Sequence, residues 1–114
     1  MDDLGQFFPD MGDEGLALMR QEFPHQLCAK TGLMLIPIQG FLIKTPQHIV
    51  LVDACVGNDK TCKSFDIWHK RSDNRFMAGL GAAGVGPADI DYVLCTHLHL
   101  DHVGWNTRLE NGRW

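Results

Sequence analysis

The sequence predicts an α+β domain, and three observations carry that reading. Leu16, Met19 and Phe23 recur at helical spacing ahead of Pro24. Two short runs rich in β-branched and apolar residues, Ile49–Val52 and Asp91–Thr96, are bounded by turn residues, as buried strands are. The chain has 114 residues, 45% hydrophobic and 21% charged, which is ordinary globular usage and fills one domain at most.

Each element follows from its residues. Asp13-Glu14 open the first helix, and Pro24 stops it at Phe23. The stretch before it, with Gly5, Pro9 and Gly12, reads as an irregular lead-in. Leu33–Lys44 (LMLIPIQGFLIK) is extended, either as one bulged segment or as two short strands, because Pro37 and Gly40 interrupt it. Thr45-Pro46-Gln47-His48 turns the chain into Ile49–Val52, giving a hairpin that ends at Asp53. Gly57-Asn58-Asp59 is a turn. Ser64 to about Leu80 is helix or loop, anchored by Phe65, Trp68 and Phe76, with Lys70 and Arg71 exposed. Gly79, Gly81, Gly84 and Gly86 mark a flexible stretch that lacks the spacing of a nucleotide loop. Pro87–Ile90 is a single turn leading into the strand Asp91–Thr96. Near the end, Asn111-Gly112 is the signature of a two-residue hairpin turn. Its second strand would start at Trp114, so the chain is expected to be the N-terminal part of a longer protein.

Composition excludes several functions. With 14 acids against 10 bases and a net charge of −4, a phosphate-backbone binder is not expected. No apolar run approaches the roughly 20 residues of a membrane span. The acidic start Met1-Asp2-Asp3-Leu4 is unlike a secretory signal. Cys28, Cys55, Cys62 and Cys95 include no Cys-x-x-Cys pair. They read as free, mostly buried thiols in a reducing, cytoplasmic compartment, with Cys55 and Cys95 as packing residues.

The chemistry is concentrated in Thr96-His97-Leu98-His99-Leu100-Asp101-His102-Val103-Gly104. Within a strand, residues two apart share a face, so His97 and His99 aim both imidazoles at one point while Leu98 turns into the core. Neutral imidazoles are good ligands for zinc. If the chain turns after Leu100, Asp101 and His102 leave that face and can serve a second metal beside the first. Two such metals can clamp the attacking and leaving oxygens of a hydrolysis.

His97-x-His99-x-Asp101-His102 after a hydrophobic strand resembles the signature of the metallo-β-lactamase-fold hydrolases. Phe41-Leu42-Ile43, Ile49–Asp53 and Gly86–Val93 resemble that family's early strands and the approach to its metal motif, so the likeness spans roughly residues 33–106. The longer motif Thr96–Asn106 is most similar to the branch of acyl-homoserine lactonases and methyl-parathion-hydrolase-like enzymes. The resemblance implies the N-terminal half of an αββα sandwich, a mixed sheet with flanking helices. On it, residues 1–32 are lead-in and helix, and 33–114 are a β-rich core.

It also implies that His97 and His99 bind a first zinc and that Asp101 and His102 bind a second, with iron or manganese as alternatives. Asp101 would hydrogen-bond the attacking zinc-bound hydroxide. Asp53 matches the family's strand-end acid, which orients metal-bound histidines from behind; a turn cap is the rival role. The family's remaining ligands lie further downstream than this chain extends, and His25, His48 and His69 do not match them, reading as surface or turn residues. Gly104 is followed by Trp105 where the family often has a second glycine, and Trp105 lines a pocket mouth or packs in the core.

The function implied is metal-assisted hydrolysis of a lactone, ester or related bond in a small-molecule substrate, complete only with sequence beyond residue 114. A homodimer of the complete protein is compatible with it, and neither nucleic acid nor membrane is a partner. The alternatives are a truncated, non-catalytic binding module of the same fold and an iron-dependent redox member. Two histidines underfill a catalytic zinc site, so residues 1–114 alone should turn over poorly. Half a sandwich should also leave a sheet face uncovered.

Overall fold

A computed structural model describes residues 8–114. The first part of the lead-in, with Gly5, lies outside the described residues. The chain divides into two compact units, one up to Pro37 and one from Ile38.

In the first unit, helix α1 spans Gly12–Glu22. Asp13 and Glu14 sit in its first turn and Arg20 in its last, each at the end of the helix dipole that favours its charge. Leu16 and Met19 are half-buried, while Phe23 is exposed just past the helix. Pro24 starts a 3₁₀ turn, Pro24–Gln26, instead of continuing α1. Leu27 then pairs with Met34 in an isolated bridge, and the Cys28 N–H donates to the Leu33 carbonyl at 2.8 Å. The extended run expected from Leu33 is therefore folded back at its start, and regular strand begins only at Phe41.

The second unit is built on a three-stranded mixed sheet in the order β1-β2-β3. Strand β1 (Phe41–Lys44) pairs antiparallel with β2 (Ile49–Val52), and β2 pairs parallel with β3 (Tyr92–Leu94). The connecting turn is closed by Thr45, whose hydroxyl oxygen accepts the His48 N–H at 2.8 Å. Register places Leu42, Leu51 and Val93 side by side, with Leu51 buried among the core. The alternate positions Phe41, Ile43, Tyr92 and Leu94 are exposed, and so is Val93, so β3, expected to be a buried strand, is exposed along its whole length as the edge of the sheet. The buried residues of this unit are Leu51, Ala54, Val56, Cys62, Leu80 and Val85, together with Asp53.

Between β2 and β3 the chain forms a 3₁₀ turn (Asp66–Trp68), helix α2 (Arg75–Ala82) and a second 3₁₀ turn (Pro87–Asp89). The glycine stretch read as flexible is partly helical. Gly79 and Gly81 lie inside α2, and Gly84, at φ +68°, ends the helix while the Val85 N–H returns to the Leu80 carbonyl. Trp68 is paired with Phe65, and Phe76 stacks on Trp105 with ring centroids 5.3 Å apart. Asn111 and Gly112 both have positive φ and join the mutually bonded pair Glu110 and Arg113, as a type I′ turn requires. No helix among the described residues is long and apolar enough to cross a membrane.

Asp73 ties this region together. Its carboxylate accepts from the side chains of Arg75 and Arg71 and from the Arg75 N–H, while its backbone bonds Asn58. The hydrogen bonds from Arg75 and Arg71 hold its carboxyl well below the usual carboxylate range. A lowered folded pKa contributes stability that is fully present above the unfolded pKa of about 3.9 and is lost as pH falls toward the folded value. Asp73→Asn should therefore lower the melting temperature of the full-length protein at pH 7. The gap from wild type should close progressively below about pH 4. A gap of the same size at pH 7 and pH 3 would contradict this account.

Candidate metal centre

The site begins where β2 ends. The Asp53 N–H donates to the Leu94 carbonyl at 2.8 Å, carrying the β2–β3 ladder one residue past β2. At Asp53 the backbone turns left-handed, with φ 61°, a conformation that aspartate tolerates better than most residues. Asp53 is 4% exposed, and its side chain bonds Thr96. One carboxylate oxygen, Oδ1, accepts the Thr96 backbone N–H at 2.8 Å. The other, Oδ2, accepts the Thr96 hydroxyl at 2.8 Å and stands 2.8 Å from His102 Nδ1. Burial pushes the Asp53 carboxyl upward, but the bonds from His102 and from the Thr96 N–H and hydroxyl outweigh it and hold the pKa at about 2. Asp53 thus caps the chain at Thr96 and grips the ring of His102.

This clamp corrects one expectation. Strand β3 ends at Leu94, so His97 and His99 stand on a loop and not on a strand. The Thr96 N–H goes to a side chain, which ends the ladder. Leu98 consequently does not turn into the core; it is 82% exposed. The two rings meet nonetheless, with His97 Nε2 2.9 Å from His99 Nδ1. The short helix α3 (Leu100–Val103) then presents Asp101 and His102, with Asp101 Oδ2 3.3 Å from His102 Nε2. The His97 and His102 ring centroids are 3.9 Å apart, so the two pairs adjoin.

Helix α3 is fastened to the loop after β2 by three backbone bonds. The Ala54 N–H reaches the His102 carbonyl, the Gly104 N–H reaches Cys55, and the Trp105 N–H reaches Ala54, at 2.7, 2.7 and 2.8 Å. Trp105 is half-buried against Phe76, a packing role. The four cysteines are free, but only Cys62 is buried; Cys28, Cys55 and Cys95 are half-buried. Asn106 Nδ2 donates to Cys95 Sγ at 3.4 Å, and burial pushes the Cys55 thiol up, away from an activated nucleophile. His25, His48 and His69 are exposed and remote in role: His48 packs edge-on against Tyr92, and His69 Nδ1 caps the backbone of Cys62.

Among the described residues, no three histidine, cysteine, aspartate or glutamate side chains are arranged to share one ion. The site instead offers two donor pairs, imidazole with imidazole and imidazole with carboxylate. That chemistry fits a borderline divalent cation such as zinc. The second pair has room for a proton or a cation. Because His102 Nδ1 faces a carboxylate, it carries a proton, and a neutral ring then leaves Nε2 bare beside Asp101 Oδ2. Two electron-rich atoms at that separation need a proton or a cation between them. Sequence reasoning named Thr96 in the cluster but gave it no role; its signal was a hydroxyl residue at the strand exit, directly before the first histidine.

The chain is 32% identical over 85 residues to the N-acyl homoserine lactonase AttM of Azorhizobium caulinodans, an alignment covering 67% of this chain and 32% of that protein. The chain thus spans about a third of the length of this curated relative. No solved structure matches it significantly. Residues 36–114, which include the sheet, the Asp53 clamp and both donor pairs, match the family description of the metallo-beta-lactamase superfamily, and the chain belongs to that superfamily of metallo-hydrolases.

Proposed function

We propose that the full-length protein containing this chain is a metal-dependent hydrolase that opens lactones, esters or related bonds of small molecules in the cytoplasm. The convergence of His97, His99, Asp101 and His102 above one buried carboxylate, Asp53, carries the reading. The likeness to a lactonase supports the lactone class, and the free cysteines suit a reducing compartment.

In this reading His97 and His99 hold one zinc ion, and Asp101 and His102 hold a second. When bound, such a Lewis acid lowers the pKa of coordinated water to about 7 and stabilises developing negative charge. The protein's own work is positional. Asp53 fixes the His102 ring through Nδ1, so that Nε2 faces Asp101. Asp101 would also accept a hydrogen bond from the attacking water. His97 and His99 are exposed in this chain.

Hydrolysis of a panel of lactones, esters and phosphotriesters, measured before and after chelation, tests the proposal. Turnover of at least one lactone or ester is expected, lost on metal removal and regained on adding zinc. Full turnover by the stripped protein would overturn the metal role.

A further inference from the structure

Thr96 Oγ1 touches three groups of the site. Asp53 Oδ2 is at 2.8 Å, His97 Nδ1 at 3.1 Å and His102 Nδ1 at 3.3 Å. A hydroxyl has one hydrogen to give and lone pairs that accept. An ionised carboxylate only accepts, so the Thr96 hydrogen goes to Asp53 Oδ2. Only lone pairs then remain to face the imidazoles. His97 can bond them solely as a donor, with its proton on Nδ1. A neutral imidazole protonated at Nδ1 is bare at Nε2. That bare nitrogen is the atom 2.9 Å from His99 Nδ1, at the centre of the first donor pair. His102 follows the same rule, with Nδ1–H directed to Asp53 Oδ2 and Thr96 Oγ1 as a more distant second acceptor.

We infer that Thr96 is a positioning residue whose hydroxyl sets the tautomer of His97 and keeps its Nε2 available to a cation. The inference rests on the metal-dependent reading above and adds to it a residue that touches no ion itself. Among the described residues, Thr96 supplies the acceptor bonded to His97 Nδ1. Without it, Nδ1 loses this acceptor and the ring can carry its proton on Nε2, which blocks the ligand atom. The backbone would stay in place, because the Thr96 N–H is held separately by Asp53 Oδ1. Valine keeps the shape of threonine and deletes the hydroxyl; serine keeps the hydroxyl and deletes the methyl.

The test compares wild type, Thr96→Val and Thr96→Ser in the full-length protein. Zinc affinity is measured by competition with a chromophoric chelator. Thr96→Val should bind about 10–100-fold more weakly, the usual effect of removing a group that orients a metal-bound histidine. Thr96→Ser should restore wild-type affinity. Imidazole ¹⁵N spectra of the metal-free protein should show His97 protonated at Nδ1 in wild type and in Thr96→Ser. Wild-type His97 protonated at Nε2 overturns the inference, and that spectrum needs no variant to fold. Unchanged affinity in Thr96→Val, or equal weakening in a folded Thr96→Ser, also overturns it. These failures differ from failure of the metal reading, which would show as zinc retained after both His97 and His99 are removed.

Discussion

Replacing His97 and His99 together with alanine should abolish hydrolysis and remove at least one equivalent of bound metal. The two rings supply the nitrogens that approach to 2.9 Å, and no cysteine or acid among the described residues joins them to form a set of three. A catalytic zinc commonly uses three protein ligands, so losing two leaves too few to hold it. The loss should exceed the roughly 10–100-fold expected when only an orienting group is removed. Both rings are exposed on a loop, and the Asp53–Thr96 clamp does not depend on them. The melting temperature of the metal-free protein should consequently change little, since exposed substitutions usually stay within about 0.5 kcal/mol. Metal stoichiometry by elemental analysis, read beside turnover, checks the result. An unaltered metal content in the double variant would refute the ligand assignment.

Gly104→Ala should be the most damaging single-methyl change in the second unit. Gly104 has ordinary helical torsions, φ −61° and ψ −44°, so alanine costs nothing in backbone conformation. Space is the obstacle. A Cβ there would overlap the carbonyl group of Val56 and the nitrogen of Gly57. Gly57 answers in kind: at φ +76°, its own Cβ would meet the Gly104 carbonyl. The obstruction is backbone on both sides, and no rotamer change relieves it. The chain can yield only by moving α3 away from residues 54–57, which breaks the bonds at Cys55 and Ala54 and shifts Asp101 and His102. Overpacking of this kind costs about 1–3 kcal/mol and sometimes more. Gly79→Ala is the natural control. It sits in α2 with nothing within 4 Å of the added methyl, and should stabilise by about 0.5–1 kcal/mol. Denaturant unfolding of both variants checks the pair, and equal effects of like sign would contradict the packing argument.

Local pattern was sufficient for several features. Ile49–Val52 is a strand because a β-branched run between a proline turn and an acid has few other uses. Helix α1 stops before Pro24 because proline has no N–H to continue it. Asn111-Gly112 turns because both positions need positive φ. The grouping of His97, His99, Asp101 and His102 was equally legible, since three histidines and an aspartate within six residues stay near one another in almost any backbone.

What tertiary contact alone decided is how those residues are held. Parallel pairing of β2 with β3 sets Asp53 beside a segment more than forty residues away, and its carboxylate takes the Thr96 N–H from the ladder. That substitution ends β3 early, moves His97 and His99 onto a loop and leaves Leu98 in solvent, against the alternation that periodicity implies. It also creates the hydroxyl contact to His97, and the opposed glycines Gly57 and Gly104 fix where α3 lies. Periodicity describes neighbours along a chain; a hydrogen bond between residues 53 and 96 depends on register and depth of burial, which exist only once the strands have paired.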